Sequence, residues 1–319
     1  ACCNCSLISF MTRFVSPILT PFERYRPIVD DWEAFAAALH RPLPTCIWAN
    51  PLRATPAELA AWLRGQGLDP EPLPWLDHAF RLPADVEIGN RFAYVTGLYH
   101  VQEEVSLLPV PLLDPQPGER VLDLCAAPGN KTAQIATRLA SRGTVVANDI
   151  SYGRLASMRS TLDRLGIANV TTTTYDASNY PPESGVFDRV LADVPCSCEG
   201  TSRKHPNVIE QRAGMRDMTG AQTAILRKAV QLCRPGGRIV YSTCTYAPEE
   251  NEAVVDAVLR AVGLDRLRLL PARIEGVACS PGLTAWQERA FHPLLERAMR
   301  VWPHQNDTGG FFVAVLEKE

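Results

Sequence analysis

Two cysteines and one aspartate stand at the ends of two apolar segments of the chain. Asp193 and Cys196 follow the first segment in the run LADVPC, and Cys244 closes the second in the run VYSTC. A thiolate is an effective nucleophile toward a soft carbon, and a carboxylate beside it can stabilise charge that develops during the addition. A single cysteine in an apolar strand is more often an inert core residue, so this chemistry requires the two segments to lie side by side.

The alternation of strands and helices after residue 114 predicts such an arrangement. Strands are predicted at Arg120–Cys125, Thr144–Ile150, Val170–Tyr175, Asp188–Val194, Arg238–Cys244 and Phe311–Leu316. Helices are predicted at Lys131–Ser141, Tyr152–Leu165, Thr219–Cys233 and Glu249–Ala261. This order is typical of an α/β fold with a doubly wound, Rossmann-like and mostly parallel sheet. Ligands bind such sheets at the carboxyl ends of the strands.

The first of these strands leads into a loop that suits a nucleotide-like ligand. The loop consists of Cys125, Ala126, Ala127, Pro128, Gly129, Asn130 and Lys131. Its small residues let the backbone approach a ligand at a helix N-terminus. It is neither a Walker loop nor a GxGxxG turn, so the motif indicates a ligand without naming it.

Carboxylates follow the next two strands. Asp149 is placed to accept hydrogen bonds from the hydroxyls of a ribose, and Asp176 from the exocyclic amino group of a purine. Either could be a simple helix cap, but a loop and two acids at three consecutive strand ends together fit an adenosine ligand. Because no basic cluster awaits a pyrophosphate, S-adenosylmethionine (SAM) fits better than NAD or ATP.

The combination of SAM with paired thiols favours methylation of carbon. Carbon 5 of cytosine is too weak a nucleophile to take a methyl group directly, whereas a thiolate that adds to carbon 6 activates it. Methyl transfer to nitrogen or oxygen needs no thiol. Asp193 is the candidate to bind the N3 region of the base. The residues alone leave open which of Cys196 and Cys244 attacks.

These motifs resemble those of the Nop/Sun RNA cytosine-5 methyltransferases, and most closely of their bacterial RsmF-like branch. The resemblance rests on the runs DLCAAPGNKT, ADVPCS, GTSRK and YSTCTYAPEENE, with ND and YD after the second and third strands. It covers residues 95–319 and includes Gly97, Gln102, Glu103 and Ser106 upstream of LDPQPGERVLD. The set of motifs is specific to the family.

The resemblance assigns the catalytic roles that the residues left open. It implies that Cys244 attacks the base and that Cys196 assists release of the methylated product, with Asp193 between cofactor and base. Two positions depart from the family pattern. Asn130 replaces the second glycine of the loop, which we expect to be tolerated because asparagine accepts left-handed backbone angles. Cys198 stands where glycine is usual and could alter the loop over the target base.

The resemblance also implies the cofactor contacts. The loop 125–131, Asp149, Asp176 and Asp193 would bind SAM. Arg154 occupies a position from which an arginine can contact the cofactor, although a solvated helix residue is nearly as good an interpretation. No motif has the ligand spacing of a zinc site, so we predict no metal.

Charge and composition limit how the chain can hold RNA. Lys and Arg number 32 against 35 Asp and Glu, for a net charge of −3 and a pI of about 6.1. This balance argues against a protein that coats nucleic acid by bulk charge. The segment 203–228 holds six basic residues against two acidic ones, and we expect it to border the site and contact phosphates. A solvated helix face is the alternative.

The predicted organisation has three parts: a tag or disordered tail at 1–10, an N-terminal α+β RNA-binding module at 11–110 and a SAM-dependent methyltransferase domain at 111–319. In the second part, a strand is predicted at Thr45–Ala49, and Thr55 with Glu58 predicts a helix that begins with a capping box. The chain ends soon after its last predicted strand, so we expect it to lack the C-terminal RNA-binding modules of longer RsmF-like proteins. We expect no membrane span, because no run of about 18 apolar residues occurs, and a cytoplasmic monomer.

The expected activity is formation of 5-methylcytidine in structured RNA, with 16S rRNA, free or within a ribosomal subunit, as the first candidate substrate and tRNA as the second. A catalytically idle RNA-binding or assembly factor would have no chemical reason to keep two thiols beside a carboxylate. A methyltransferase that acts on a protein or a small molecule would leave the paired thiols unexplained.

Overall fold

The computed structural model describes residues 19–208 and 217–319. The segment 1–10, expected to be a tag or tail, lies outside the described residues, and so does the stretch 209–216 of the basic segment. Within the described residues two larger sheets form, one from strands between residues 45 and 101 and the other from strands between residues 120 and 318. No helix in these ranges is both long enough and apolar enough to cross a bilayer.

The N-terminal sheet is small and antiparallel. Its strands lie in the order β2-β3-β1-β4, with bounds β1 (Thr45–Ala49), β2 (Glu71–Pro72), β3 (Ala79–Leu82) and β4 (Tyr99–Val101). The helices of this part are α1 (Trp32–Leu39), α2 (Pro56–Gly65), α3 (Phe92–Val95) and α4 (Pro109–Leu113), with 3-10 turns at Thr20–Tyr25 and Glu104–Leu107. The predicted strand at Thr45–Ala49 is confirmed. So is the capping box, in which the Thr55 hydroxyl accepts from the Glu58 amide and the Glu58 carboxylate from the Thr55 amide.

The second sheet carries the Rossmann-like topology. Its parallel strands are β5 (Arg120–Asp123), β6 (Thr144–Asn148), β7 (Val170–Thr173), β8 (Phe187–Asp193) and β9 (Cys233–Thr243). The remaining strands of the chain are β10 (Leu267–Leu270), β11 (Ser280–Pro281), β12 (Ala285–Trp286), β13 (Arg289–Ala290), β14 (Met299–Val301) and β15 (Phe311–Lys318). The spatial order is β11-β14-β15-β9-β8-β5-β6-β7, with β10 also on β15, while β12 and β13 form a separate hairpin. The doubly wound sheet is thus confirmed.

The antiparallel half of this sheet was larger than predicted. Only β15 was expected beyond β9, whereas β10, β11 and β14 also join, each antiparallel to its neighbour. These strands are two to four residues long, too short for an alternating pattern to show in the sequence.

Helices cover both faces of the second sheet. They are α5 (Asn130–Arg138), α6 (Tyr152–Leu165), α7 (Thr219–Leu232), α8 (Glu252–Val262) and α9 (Pro303–Asn306), with 3-10 turns at Ala177–Asn179, Pro182–Ser184, Glu199–Thr201 and Pro293–Arg297. Side chains alternate between the two faces: in β8, Val190 and Ala192 join the core that contains residues of α7 and α8, while Leu191 joins the core that contains residues of α5 and α6.

The N-terminal sheet is docked closely on the second one. The Asn50 amide donates both to the Gly97 carbonyl at 2.9 Å and to the Leu165 carbonyl, at the end of α6, at 2.8 Å. Gly97 has φ +74°, and a Cβ there would lie 2.1 Å from the Arg164 carbonyl oxygen. Glycine is therefore required by both the backbone angle and the space at this contact.

Candidate active site

The two apolar segments singled out in the sequence are neighbouring parallel strands. In the register of β8 and β9, Asp193 lies opposite Ser242, so the loops that follow both strands leave the sheet at one point. The Cys196 and Cys244 sulfurs are 3.4 Å apart. The structure therefore brings together the two thiols and the carboxylate that the sequence placed at strand ends.

A third sulfur belongs to the same cluster. Cys198 Sγ lies 4.0 Å from Cys196 Sγ, and the sulfurs of Cys196, Cys198 and Cys244 all lie within 4.8 Å of one another. Cys198 has φ +56°, in the left-handed region that non-glycine residues enter at a cost. The family comparison marked Cys198 as a departure, but nothing in the spacing predicted that it would meet Cys244.

The three thiols do not titrate independently. Hydrogen bonds from Cys196 and Cys244 lower the pKa of the Cys198 thiol, while hydrogen bonding to both neighbours, together with burial, raises the pKa of Cys196. For Cys244 the bond with Cys196 lowers the pKa, but Cys198 and burial outweigh it, so that the pKa is raised. The cluster therefore loses one proton readily and the others with difficulty.

Asp193 is held by two partners. Its Oδ2 accepts from Lys131 Nζ at 2.7 Å, and its Oδ1 accepts from the Ser242 hydroxyl at 2.6 Å. Burial alone would lower the pKa of Lys131, but the Asp193 carboxylate overcomes that effect and raises it. Lys131 is thus a cation fixed beside the thiols. Sequence reasoning missed Ser242, although the strand register was the signal that could have found it.

The predicted ligand loop links β5 to α5. Gly129 carries φ +101°, and a Cβ there would lie 2.4 Å from the Met158 side chain of α6. The Ala127–Pro128 peptide is cis, and the Ala126 amide donates to the Asn148 carbonyl at 2.7 Å. The backbone at the start of α5 therefore carries no bulky side chain, and a ligand can approach it closely.

The reason given for tolerating Asn130, that asparagine accepts left-handed backbone angles, was wrong. Asn130 is the first residue of α5, and Gly129 alone carries the positive φ, so Asn130 needs no left-handed angle. Its side-chain oxygen instead lies 2.9 Å from His100 Nε2 of the N-terminal sheet, and Arg164 donates to His100 Nδ1 at 2.8 Å. Burial lowers the pKa of His100 to about 4. The neutral ring therefore accepts from Arg164 and donates to Asn130.

Asp149 and Arg154 clamp the ligand loop from the side. Asp149 is buried, and its carboxylate accepts from the Ala127 amide at 3.2 Å and the Ser151 amide at 2.9 Å. Arg154 pairs with Asp149 at 3.1 Å and also donates to the Ala127 carbonyl. Arg154 thus holds the loop through Asp149 and Ala127.

A cavity of about 550 Å³ opens over this clamp. Its wall includes Asp149, Arg154, Asp176 and Ile150, and it extends to the three cysteines. Asp176 is exposed and also caps a 3-10 turn by accepting from the Ser178 amide at 2.9 Å. Ile150 is 72% exposed, and sequence reasoning did not single out this apolar surface.

A second cavity, of about 380 Å³, lies on the other side of the same wall. Pro128, Asp193, Val194 and Cys244 line both cavities. Lys131 lines only the second of the two. Both volumes suit small ligands, and Cys244 and Asp193 are accessible from either one.

The basic segment is only partly available to a ligand. The Arg203 side chain is 1% exposed and pairs with Asp307 at 2.8 Å, while also donating to the Pro42 and Thr308 carbonyls. Within the segment expected to contact phosphates, these protein groups already occupy the Arg203 guanidinium. Lys204 and His205 are exposed at the rim of the second cavity.

Asp123 is a buried acid that sequence reasoning missed. It ends β5 directly before the ligand loop and is 0% exposed. Its Oδ2 accepts from the Thr132 hydroxyl at 2.7 Å, and its Oδ1 has no hydrogen-bond partner among the described residues. Burial raises the pKa of Asp123 to about 7.

Two family models together match most of this chain. Residues 110–317 match a family model described as 16S rRNA methyltransferase RsmB/F, and residues 22–104 match one described as the N-terminal domain of 16S rRNA methyltransferase RsmF. The chain is 35% identical over 316 residues to ribosomal RNA small subunit methyltransferase F of Salmonella paratyphi C and of Salmonella choleraesuis. The match covers 96% of this chain and 63% of each relative, so the chain spans less than two thirds of their length.

Solved structures show the same fold. A methyltransferase homolog protein from Pyrococcus horikoshii superposes with a TM-score of 0.79 at 32% identity over 90% of both chains. NSun6 from Pyrococcus horikoshii, whose structure was determined with SFG, superposes with a TM-score of 0.77 at 23% identity over 90% of this chain and 94% of that one. The N-terminal and second sheets are thus shared as one arrangement across most of the chain.

Proposed function

We propose, from the premise that this chain belongs to the 16S rRNA methyltransferase RsmB/F family, that it transfers a methyl group from SAM to carbon 5 of a cytosine in small-subunit ribosomal RNA. The observation that carries the proposal is the position of Cys244 and Asp193 in the wall between two cavities. One cavity is large enough for a cofactor and the other for a single base. A reaction between the two bound groups would take place at these side chains.

The residues of the first cavity fit SAM. The Gly129 cradle lets the backbone approach the ligand, Asp149 stands at the strand end that suits ribose hydroxyls, and Ile150 offers an apolar face to a purine. Asp176 lies on the same wall, where a carboxylate can accept from an exocyclic amino group. When bound, SAM supplies an electrophilic methyl group. Arg154 acts by holding the Asp149 carboxylate and the loop.

The first chemical task of the protein is to add a thiolate to the base. We assign the attack on carbon 6 to Cys244, whose sulfur borders both cavities, and Lys131 provides the nearby positive charge that favours a thiolate. The Cys244 Sγ–C6 bond forms as the C5–C6 π electrons become the C4–C5 double bond and the C4–N3 π electrons move onto N3. Asp193, positioned by Lys131 and Ser242, binds that side of the base and shares the proton that neutralises N3.

The second task is to release the methylated base. After carbon 5 has received the methyl group, its proton passes to a basic group and the C5–H electron pair re-forms the C5–C6 double bond. The Cys244 Sγ–C6 bond breaks at the same time, which returns Cys244 as a thiolate. Cys196, 3.4 Å from Cys244, is the group placed to assist this elimination. Because both steps need free thiols, we place the enzyme in the cytoplasm, where thiols stay reduced.

Trapping of the covalent intermediate tests the assignment. Cys196→Ser should accumulate a protein–RNA adduct that survives a denaturing gel, and Cys244→Ser should give neither adduct nor methylated product. Wild-type protein and Cys279→Ser, which changes a half-buried cysteine outside the cluster, serve as controls. Adduct from Cys244→Ser but not from Cys196→Ser would reverse the two roles.

The choice of RNA is tested separately. Purified protein should methylate small-subunit rRNA, free or within the ribosomal subunit, at one cytosine that bisulfite sequencing identifies. Bisulfite sequencing of rRNA and tRNA from cells without the gene should show loss of the same position. A mark lost from tRNA while rRNA is unchanged would keep the chemistry and refute the substrate.

A further inference from the structure

Cys198 adds a third sulfur to a site whose proposed chemistry uses two. It belongs to the turn that follows β8, and its sulfur faces Cys196 at 4.0 Å. Neither nucleophilic attack nor elimination requires this thiol. A chemical role of the Cys198 thiol would therefore involve the three sulfurs together.

The spacing of the sulfurs suits a single metal ion. With Zn–S bonds of about 2.3 Å, thiolates around one Zn²⁺ are separated by about 3.8 Å in a tetrahedron and about 4.0 Å in a trigonal plane. Cys196 Sγ lies 3.4 Å from Cys244 and 4.0 Å from Cys198, and all three lie within 4.8 Å. Shifts of less than about 1 Å would place each sulfur at bonding distance from a common centre.

The cluster also has an entry path and room for a fourth ligand. All three cysteines line the cavity of about 550 Å³, and Cys198 and Cys244 are only partly buried. Three protein ligands with an open fourth position are typical of zinc sites that hold a water molecule. Soft thiolates select Zn²⁺ and similar cations over Mg²⁺ or Ca²⁺.

We propose that Cys196, Cys198 and Cys244 form a binding site for Zn²⁺, and that its occupation reversibly inhibits the enzyme by sequestering both catalytic sulfurs. The metal site stands on geometry alone, whereas the inhibition rests on the proposed function. The sequence did not reveal the site because the third ligand is 48 residues from Cys196 along the chain.

Cys198→Gly is a suitable test because glycine fits this backbone. At φ +56°, glycine is free of the backbone strain that a residue with a Cβ carries. The contacts that shape the turn are made by the Cys198 carbonyl, which accepts from the Thr201 amide at 2.9 Å and the Thr201 hydroxyl at 2.8 Å. The substitution therefore removes the sulfur and keeps those contacts.

Zinc affinity should be measured by competition with a chromogenic chelator, on the 319-residue chain reduced with a phosphine. Every variant should carry serine at Cys2, Cys3 and Cys5, so that these thiols do not contribute. We expect one equivalent of Zn²⁺ to bind, and Cys198→Gly to weaken binding by more than about 100-fold, since even loss of an outer-shell partner costs 10–100-fold. Cys279→Ser should bind like the parent.

Equal affinity in the parent and Cys198→Gly, or equal weakening by Cys279→Ser, would overturn the site. Cd²⁺ provides a second readout, because its thiolate charge-transfer absorbance should fall by about a third in Cys198→Gly if each of the three sulfurs is a ligand. Methylation by the parent should be inhibited by Zn²⁺ and recover with chelator, and Cys198→Gly should resist the same free Zn²⁺. Zinc that binds as expected without slowing methylation would refute the inhibition alone.

Discussion

The buried Asp123 should make the stability of this protein fall as the pH rises. Its carboxyl group is fully buried, it has one hydrogen-bond donor in Thr132, and its Oδ1 is without a partner among the described residues. Burial is the largest effect and raises the pKa to about 7 from an ordinary value of 3.8, with Asp193 adding to the rise and Lys131 opposing it. The folded protein therefore prefers the neutral acid.

The size of the effect follows from the two pKa values. Below pH 3.8 the group is protonated in both the folded and the unfolded chain and contributes no difference. Between 3.8 and about 7 only the unfolded chain ionises, so the free energy of unfolding falls by about 1.4 kcal/mol per pH unit. Above pH 7 the penalty is constant at about 4 kcal/mol. Between pH 5 and pH 8.5 the loss is about 3 kcal/mol.

Urea unfolding of the wild type and Asp123→Asn at pH 5 and pH 8.5 measures this effect. Asparagine keeps an oxygen for the Thr132 hydroxyl and cannot ionise, so the variant should lose about 3 kcal/mol less than the wild type across that interval. Asp85→Asn, which makes the same change at an exposed position, should follow the wild type. Parallel pH dependences for wild type and Asp123→Asn would refute the argument.

Three further predictions concern groups with defined partners. Asp149→Asn should weaken SAM binding by roughly 10–100-fold, because charge-assisted hydrogen bonds are worth about 1.5–3 kcal/mol; unchanged affinity in calorimetry would contradict the ribose assignment. Glu252→Gln should lower the free energy of unfolding by about 3–5 kcal/mol, because it leaves the buried Arg300 without its counter-ion. The two side chains are both buried and lie 2.6 Å apart. A loss below about 1 kcal/mol in urea unfolding would show that the pair is dispensable. Arg203→Gln should raise KM for RNA while SAM affinity stays unchanged, because Arg203 joins Pro42 of the N-terminal part to Asp307 and lines the second cavity but not the first; equal weakening of both would show that the variant disturbs the whole site.

Features that depend on neighbouring residues were predictable from the sequence. The helix at Tyr152–Leu165 and the capping box at Thr55 follow from local hydrogen bonding and periodicity, and both were placed correctly. The meeting of Cys196 and Cys244 was also predictable, because consecutive strands of a doubly wound sheet bring their carboxyl ends to one edge. The family pattern then supplied roles that the residues alone left open.

Features that depend on strand register or on the paths of loops were not predictable from the sequence. The bond between Ser242 and Asp193 requires knowing which residues of two strands face each other, and a shift by one residue would have turned Ser242 away. Cys198 joins the thiols only because its residue adopts a left-handed backbone. The contact of Asn130 with His100 joins the start of α5 to a strand of the N-terminal sheet 30 positions away, and no local pattern encodes it.

The two cavities depend on different parts of the chain, and this separates cofactor binding from substrate choice. Every residue that lines the first cavity lies between Leu124 and Cys244, on the second sheet and the elements that follow its strands. The second cavity is also walled by Leu43 and Glu103 of the N-terminal part, and the Glu103 carboxylate accepts from the Gly309 amide at 2.9 Å. The N-terminal part therefore shapes the space proposed for the base without touching the one proposed for SAM. If the proposed function is correct, changes in the N-terminal part would alter which RNA is accepted while the methyl donor and the thiols stay as they are.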